Sequence, residues 1–195
     1  MAVSVEDIKK LRDQTGAGMM KAKEALEAAG GDFDAAVKYL REKGEASAAK
    51  KSDREARAGV IEGYVHGGRI GVLVEVNCET DFVARTDDFK IFVRDVAMHI
   101  AAAAPEYLNP EAVPAEVVES EKAIYRKEVE GKPAEIIEKI VDGKLAKYYE
   151  QVCLINQPFV KDPDVTVGKL TTDLIAKLGE NIVIRRYTRM ELGGV

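Results

Sequence analysis

Two histidines, His66 and His99, and two cysteines, Cys78 and Cys153, are the side chains of this 195-residue chain best suited to proton transfer near neutral pH, thiol attack or soft-metal ligation. Their spacing assembles none of these. Neither histidine sits in a Cys, Ser or Asp arrangement of the kind that marks a triad or a metal site, and His99 reads as a packed or surface residue. The cysteines are too few and too far apart for a disulfide framework or a zinc site, so both are expected to be reduced. Thr15-Gly16-Ala17-Gly18 has the opening of a dinucleotide loop, but it follows a helical segment, Lys21 stands where a third glycine is needed, and no Gly-Lys-Ser/Thr ending offers a phosphate cradle. The two glycines read instead as a turn between helices. With no catalytic constellation, metal site or cofactor motif, the chain is not expected to be an enzyme.

Lys50, Lys51, Arg54 and Arg57 gather enough charge to touch phosphate, yet no aromatic residues interleave them for base stacking. The chain carries 34 acidic against 29 basic residues, a formal net charge of −5, which argues against nucleic-acid binding through bulk positive charge. A solvated helical face fits the basic stretch better. The segment Asn77-Cys78-Glu79-Thr80-Asp81-Phe82-Val83-Ala84-Arg85 is less ordinary: it sets a carboxylate beside an aromatic, with Thr80 placed to cap a short helical turn. Two readings of Phe82 stand open. Either it folds back into the core, as large apolar side chains generally do, or Asp81 and Phe82 form a probe inserted into a partner.

The elements that must carry this loop follow from periodicity. Ser4-x-x-Asp7 starts a helix with Val5, Ile8 and Leu11 at helical spacing, Met19 to Ala29 forms a second, and Asp32 caps a third whose stripe of Phe33, Ala36, Val37 and Leu40 ends at Gly44. These predict a three-helix bundle over 1–45, followed by a basic helical linker over 46–58. From Gly59 the period changes to two, and Val60, Glu62, Tyr64 and the run Ile70, Val72, Leu73, Val74, Val76 flank His66-Gly67-Gly68-Arg69 as a hairpin. Phe89, Phe92, Val93, Val96, Ala97 and Ile100 then mark a helix lying on a sheet. Two helices broken at Gly131-Lys132-Pro133 predict a helical hairpin over 114–152, a loop turns at Gln157-Pro158-Phe159, and a helix at 167–178 precedes a final strand at 182–192. Strands adjacent in sequence with helices segregated indicate an α+β fold.

Hydrophobic residues make up 46% and charged residues 32%, against about 25% charged in an ordinary chain, which excludes disorder and predicts a densely ionic, helix-rich protein. Before Gly59 there are 12 basic and 11 acidic residues, after it 17 and 23, so the acidic excess belongs to the 59–195 part. The N-terminus lacks a signal peptide's apolar core and no stretch approaches the roughly 18 apolar residues of a membrane span, so a cytoplasmic protein without membrane association is expected.

Ile8-Lys9-Lys10-Leu11-Arg12 with Thr15-Gly16-Ala17-Gly18-Met19-Met20, then Thr80-Asp81-Phe82-Val83-Ala84, then Gln157-Pro158-Phe159-Val160 closely resemble, in order and across nearly the whole chain, elongation factor Ts. The chain looks like a short form, with one copy of the core hairpin-and-helix unit where longer members have two. The resemblance implies a ubiquitin-associated-like bundle, a core dimerisation domain and a coiled-coil hairpin. It implies guanine-nucleotide exchange on elongation factor Tu, in both its GDP-bound and nucleotide-free forms, with magnesium and GDP belonging to the partner and no cofactor of the chain's own. Asp81 and Phe82, flanked by Thr80 and Val83, inherit the family role of entering the partner's G domain near the magnesium and phosphates. Met19, Met20, Lys23 and Lys51 inherit contacts from the bundle side, although methionines at this spacing serve a helix core equally well. His66, in Tyr64-Val65-His66-Gly67-Gly68-Arg69-Ile70-Gly71, resembles a hairpin-turn histidine lying near the partner. Three evident strands leave a small sheet with exposed edges, so a homodimer is expected. The alternative is an interaction adaptor, a ubiquitin-associated-like module that binds peptides or nascent proteins, which accounts for the first 45 residues but leaves Asp81 and Phe82 without a task.

Overall fold

The computed structural model describes residues 3–131 and 133–194; Met1, Ala2, Val195 and the Lys132 of the helix break lie outside the described residues. It is an α+β fold, and its chain divides into two compact units, one of 1–60, 75–91 and 170–185, the other of 61–74, 92–169 and 186–195.

In the first unit, α1 (Val5–Thr15), α2 (Met19–Ala28) and α3 (Phe33–Ala49) form the N-terminal bundle. The Ser4 hydroxyl accepts from the Asp7 N–H at 3.0 Å, and Gly16, at φ +67°, closes α1 in the left-handed conformation with its N–H on Arg12 O. Ile8, Leu11, Ala22, Ala25, Leu26 and Ala36 make the core, so small that alanines let the helices approach closely, while Val5 of the expected stripe is exposed. The third helix does not end at Gly44. A Cβ there would stand 3.1 Å from the Cβ of Ala176, so this glycine serves a close approach rather than a stop, and the helix formers that follow carry α3 to Ala49. The helical linker expected over 46–58 is therefore not found: residues 46–49 are the last turn of α3, and 50–57, where no apolar stripe gives a helix a face to bury, run as turns and irregular chain before β1 takes Ala58.

β1 (Ala58–His66) and β2 (Ile70–Cys78) form the hairpin; Gly67 and Gly68 supply its positive φ values, and Arg69 N–H donates to His66 O at 3.0 Å. With β5 (Ile182–Glu191) they make a three-stranded sheet ordered β1-β2-β5. Val72, Val74, Val76 and Cys78 alternate into the interior, and every member of the expected stripe on α5 (Asp87–Ala103) is buried. A single turn, α4 (Asp81–Ala84), joins β2 to α5.

In the second unit α6 (Ala115–Glu128) packs on α7 (Ala134–Val152), with Arg126 donating through Nε and Nη2 to Glu138 at 3.0 and 3.1 Å and Lys144 paired to Glu128. The expected loop around Gln157-Pro158-Phe159 is instead a two-stranded antiparallel ladder: β3 (Pro158–Phe159) pairs with β4 (Asp162–Thr166). A two-residue strand opening on proline, facing a strand that holds Pro163, has none of the alternation that marks a strand in sequence. α8 (Val167–Leu178) follows. Cys78 and Cys153 are both buried free thiols, each pushed up to about 11 chiefly by burial.

His99 is fully buried on α5 and locks the β3 segment. Its Nδ1 accepts from Val160 N–H at 3.3 Å, so Nε2 carries the proton and donates to Gln157 Oε1 at 2.9 Å, and Gln157 in turn donates to Gln151 O. Burial holds its pKa below the ordinary 6.5. The native state therefore keeps the ring neutral while the unfolded chain takes up a proton below about pH 6.5. The resulting stability is complete above that pH and is lost as pH falls toward the lowered native value. The fall in Tm between pH 7.5 and 5.5 is expected to be larger in the wild-type chain than in His99→Gln; equal falls in the two would contradict this.

Candidate functional site

β2 delivers the loop. Cys78 ends the strand with its thiol on Thr80 O at 3.1 Å, and Thr80, in an extended conformation, caps α4 by accepting from Val83 N–H at 3.5 Å. Asp81 sits in the first turn, where a carboxylate suits the positive end of a helix, and pairs with Arg85 four residues on at 2.7 Å. Ala84 is buried and Val83 half-buried. Phe82, two residues and roughly 200° around the turn from Ala84, points the other way and is 78% exposed. The core reading of Phe82 is thereby overturned. The interior place falls to Phe89, fully buried, whose N–H is received by the Thr86 hydroxyl at 3.3 Å.

On α2 the inward face is Ala22, Ala25 and Leu26, so Met20 is 77% exposed and Met19 38%, and Lys23 lies 3.7 Å from Glu27 on the solvent side. Lys51 is half-buried, donates to Ser47 Oγ at 2.6 Å, and is lowered from its usual pKa by burial and then by the charges of Lys21 and Arg54. All these residues belong to the first unit. His66 belongs to the second, exposed at the hairpin turn with Nδ1 hydrogen-bonded to Tyr64 OH at 3.0 Å.

Sequence reading missed what supports the loop from outside. Thr80 donates both its N–H and its hydroxyl to Glu180, and Asn181 N–H donates to Glu79. These partners are a hundred residues apart, where no local spacing signals them; the Thr80 cap and the Asp81–Arg85 pair, at i and i+4, are the local contacts. Among the described residues no group of three or more His, Cys, Asp or Glu side chains could hold a metal ion, and no helix is long and apolar enough to cross a membrane. The site presents an exposed carboxylate beside an exposed aromatic on a turn anchored through Thr80.

The chain matches the family model described as Elongation factor TS over residues 4–173. It is 58% identical over 194 residues to Elongation factor Ts of Carboxydothermus hydrogenoformans, covering 98% of this chain and 89% of that relative. It is 56% identical to Elongation factor Ts of Heliobacterium modesticaldum, covering 98% and 90%, and 50% identical to that of Thermodesulfovibrio yellowstonii, covering 99% and 98%. The matched span takes in the three N-terminal helices, the capped turn at 80–84 and the helical hairpin, and on that ground the chain belongs to the elongation factor Ts family.

Proposed function

We propose that this member of a translation elongation factor family is a guanine-nucleotide exchange factor: it binds elongation factor Tu and, by inserting Asp81 and Phe82 near the partner's magnesium and phosphates, promotes release of GDP. The observation that carries the reading is an exposed phenylalanine beside a carboxylate on a turn anchored at its N-terminal end by Thr80. No bond is made or broken, so no catalytic residue is required. The factor binds best to the nucleotide-free partner; whatever factor it takes from GDP affinity, GDP takes from its own, and incoming nucleotide expels it. Thr80 and Val83 frame the intruding pair, and Met19, Met20, Lys23 and Lys51 form a second contact from a ubiquitin-associated-like bundle whose third helix runs to Ala49. His66 is assigned a contact at the hairpin turn. The setting is the cytoplasm, where elongation takes place.

The core also pairs with a second copy of itself. Ile61 and Val65 are exposed on one face of β1, and a Cβ at Gly63 between them would lie 3.4 Å from Leu73, itself exposed, so Leu73 shares that face. On β5, Tyr187 and Arg189 turn inward to the carbonyls of Pro105 and Ala101, leaving Met190 outward and exposed. An uncovered apolar sheet face of this kind favours two-fold association. Light scattering at micromolar concentration is expected to give about twice 21.3 kDa, and addition of elongation factor Tu a two-plus-two assembly; a monomer would refute the pairing.

Release of a fluorescent GDP from purified elongation factor Tu, with and without this chain, tests the function directly. Unchanged release would return the reading to an adaptor. In the same assay Asp81→Ala is expected to slow release by roughly tenfold, the scale of one charge-assisted interaction of about 1.5 kcal/mol. Release at the full rate would make the carboxylate dispensable.

A further inference from the structure

We infer that Glu180 is a positioning residue for nucleotide release: its carboxylate grips both the backbone N–H and the hydroxyl of Thr80 and so holds the Asp81-Phe82 turn in the posture that enters the partner. The inference rests on the reading of Asp81 and Phe82 as the intruding pair. Glu180 Oε2 accepts from Thr80 N–H at 3.0 Å and Oε1 from Thr80 Oγ1 at 2.6 Å. Across the same junction Glu79 Oε1 accepts from Asn181 N–H at 2.6 Å. Two consecutive residues of each segment thus exchange carboxylate-to-backbone bonds. A single bond would let the turn swivel, whereas this reciprocal clasp restrains rotation as well as distance, through bonds strengthened by the ionised acceptor.

The bonds within the loop, Val83 N–H on the Thr80 hydroxyl and Ala84 N–H on Thr80 O, shape the turn but do not tie it to the rest of the unit. Asp81 is tied to Arg85 at the end of its own helical turn, and the Cys78 sulfur meets the backbone of Thr80 and Ala84, all within the same stretch of chain. The Glu180 side of the clasp is itself well founded. Asn181 Nδ2 donates to Ser52 O at 3.2 Å and Arg54 O at 2.7 Å, and Arg54 lies 3.6 Å from Glu79. Just upstream, Lys177 pairs with Asp88 at 2.7 Å and Ala176 O receives Lys21 Nζ from α2 at 3.1 Å. The end of α8 and its connection to β5 therefore hold the loop, the start of α5 and the helix that bears Met19 and Met20. A turn already held in its working posture does not have to be ordered when it enters the partner, and that is where the advantage in rate arises.

The test reads the saturating rate of fluorescent-GDP release from elongation factor Tu, separately from the half-saturating factor concentration. Glu180→Ala is expected to lower the saturating rate roughly tenfold, and Glu180→Gln, which keeps one accepting oxygen, roughly threefold, with smaller shifts in the half-saturating concentration. Both substitutions are expected to slow release by a smaller factor in a Phe82→Ala background than in the wild-type chain, because part of what Glu180 does passes through Phe82 and only the Asp81 part remains. Wild-type release by folded Glu180→Ala overturns the inference, as does a loss of equal size with and without Phe82. Should Glu180→Ala melt too low to assay, Glu180→Gln decides by the same two criteria. If Phe82→Ala and Asp81→Ala themselves release GDP at the wild-type rate, the reading of the loop falls; if they are slow and Glu180→Ala is not, the role of Glu180 alone is wrong.

Discussion

Phe82→Ala is expected to slow GDP release from elongation factor Tu by roughly 10- to 150-fold while leaving the fold intact. The magnitude is that of about 1.5–3 kcal/mol for an aromatic side chain buried only in the complex, at a factor of ten for each 1.4 kcal/mol. The folded chain forfeits almost nothing, because the ring is exposed and α4 is held by Thr80 and Ala84 rather than by Phe82. Its stability change is expected within about 0.5 kcal/mol, or roughly 2 °C in Tm for a chain of this size. Phe89, seven residues on and fully buried, provides the contrast. Phe89→Ala is expected to cost about 3–5 kcal/mol of stability. If Phe82→Ala melts as early as Phe89→Ala, the intruding role is lost.

That contrast also marks what could be read from the chain before its structure. Ser4, Thr80 and the stripe ending at Ile100 were legible because caps and 3.6-residue periods are local, and the hairpin because glycines and alternation are local too. The motif around Asp81 and Phe82 was legible as a resemblance, but its exposure was not. Residue type sends a phenylalanine inward, and only the 200° between Phe82 and the buried Ala84 turns it out. Gly44 misled for a related reason: it looks like a helix stop until Ala176, far along the chain, is found against it. The ladder at Pro158 went unread although its partners lie within eight residues, because strands so short and proline-bearing show no alternation, whereas the clasp at Glu180 joins partners separated by a hundred residues.

Gly59→Ala is expected to cost about 3–5 kcal/mol, a fall of roughly 8–15 °C in Tm, although the position lies exposed on a strand. Two costs add. Gly59 has φ +145°, a conformation that L side chains rarely adopt, and a Cβ there would stand 2.2 Å from Val76 O and 2.8 Å from Asn77 Cα. Both contacts are backbone, so no side chain can rotate away and the strands must part. Gly71 is the control: its φ is not positive and nothing lies within 4 Å of an added Cβ, so Gly71→Ala is expected within about 0.5 kcal/mol of the wild-type chain. Equal unfolding midpoints for the two variants would refute the close approach at Gly59. The damage at Gly59 falls at the root of the loop, since Asn77 Nδ2 donates to Ala58 O at 3.2 Å and the chain runs on through Cys78 to the clasped Thr80. Even at a temperature where Gly59→Ala remains folded, it is therefore expected to release GDP more slowly than the wild-type chain.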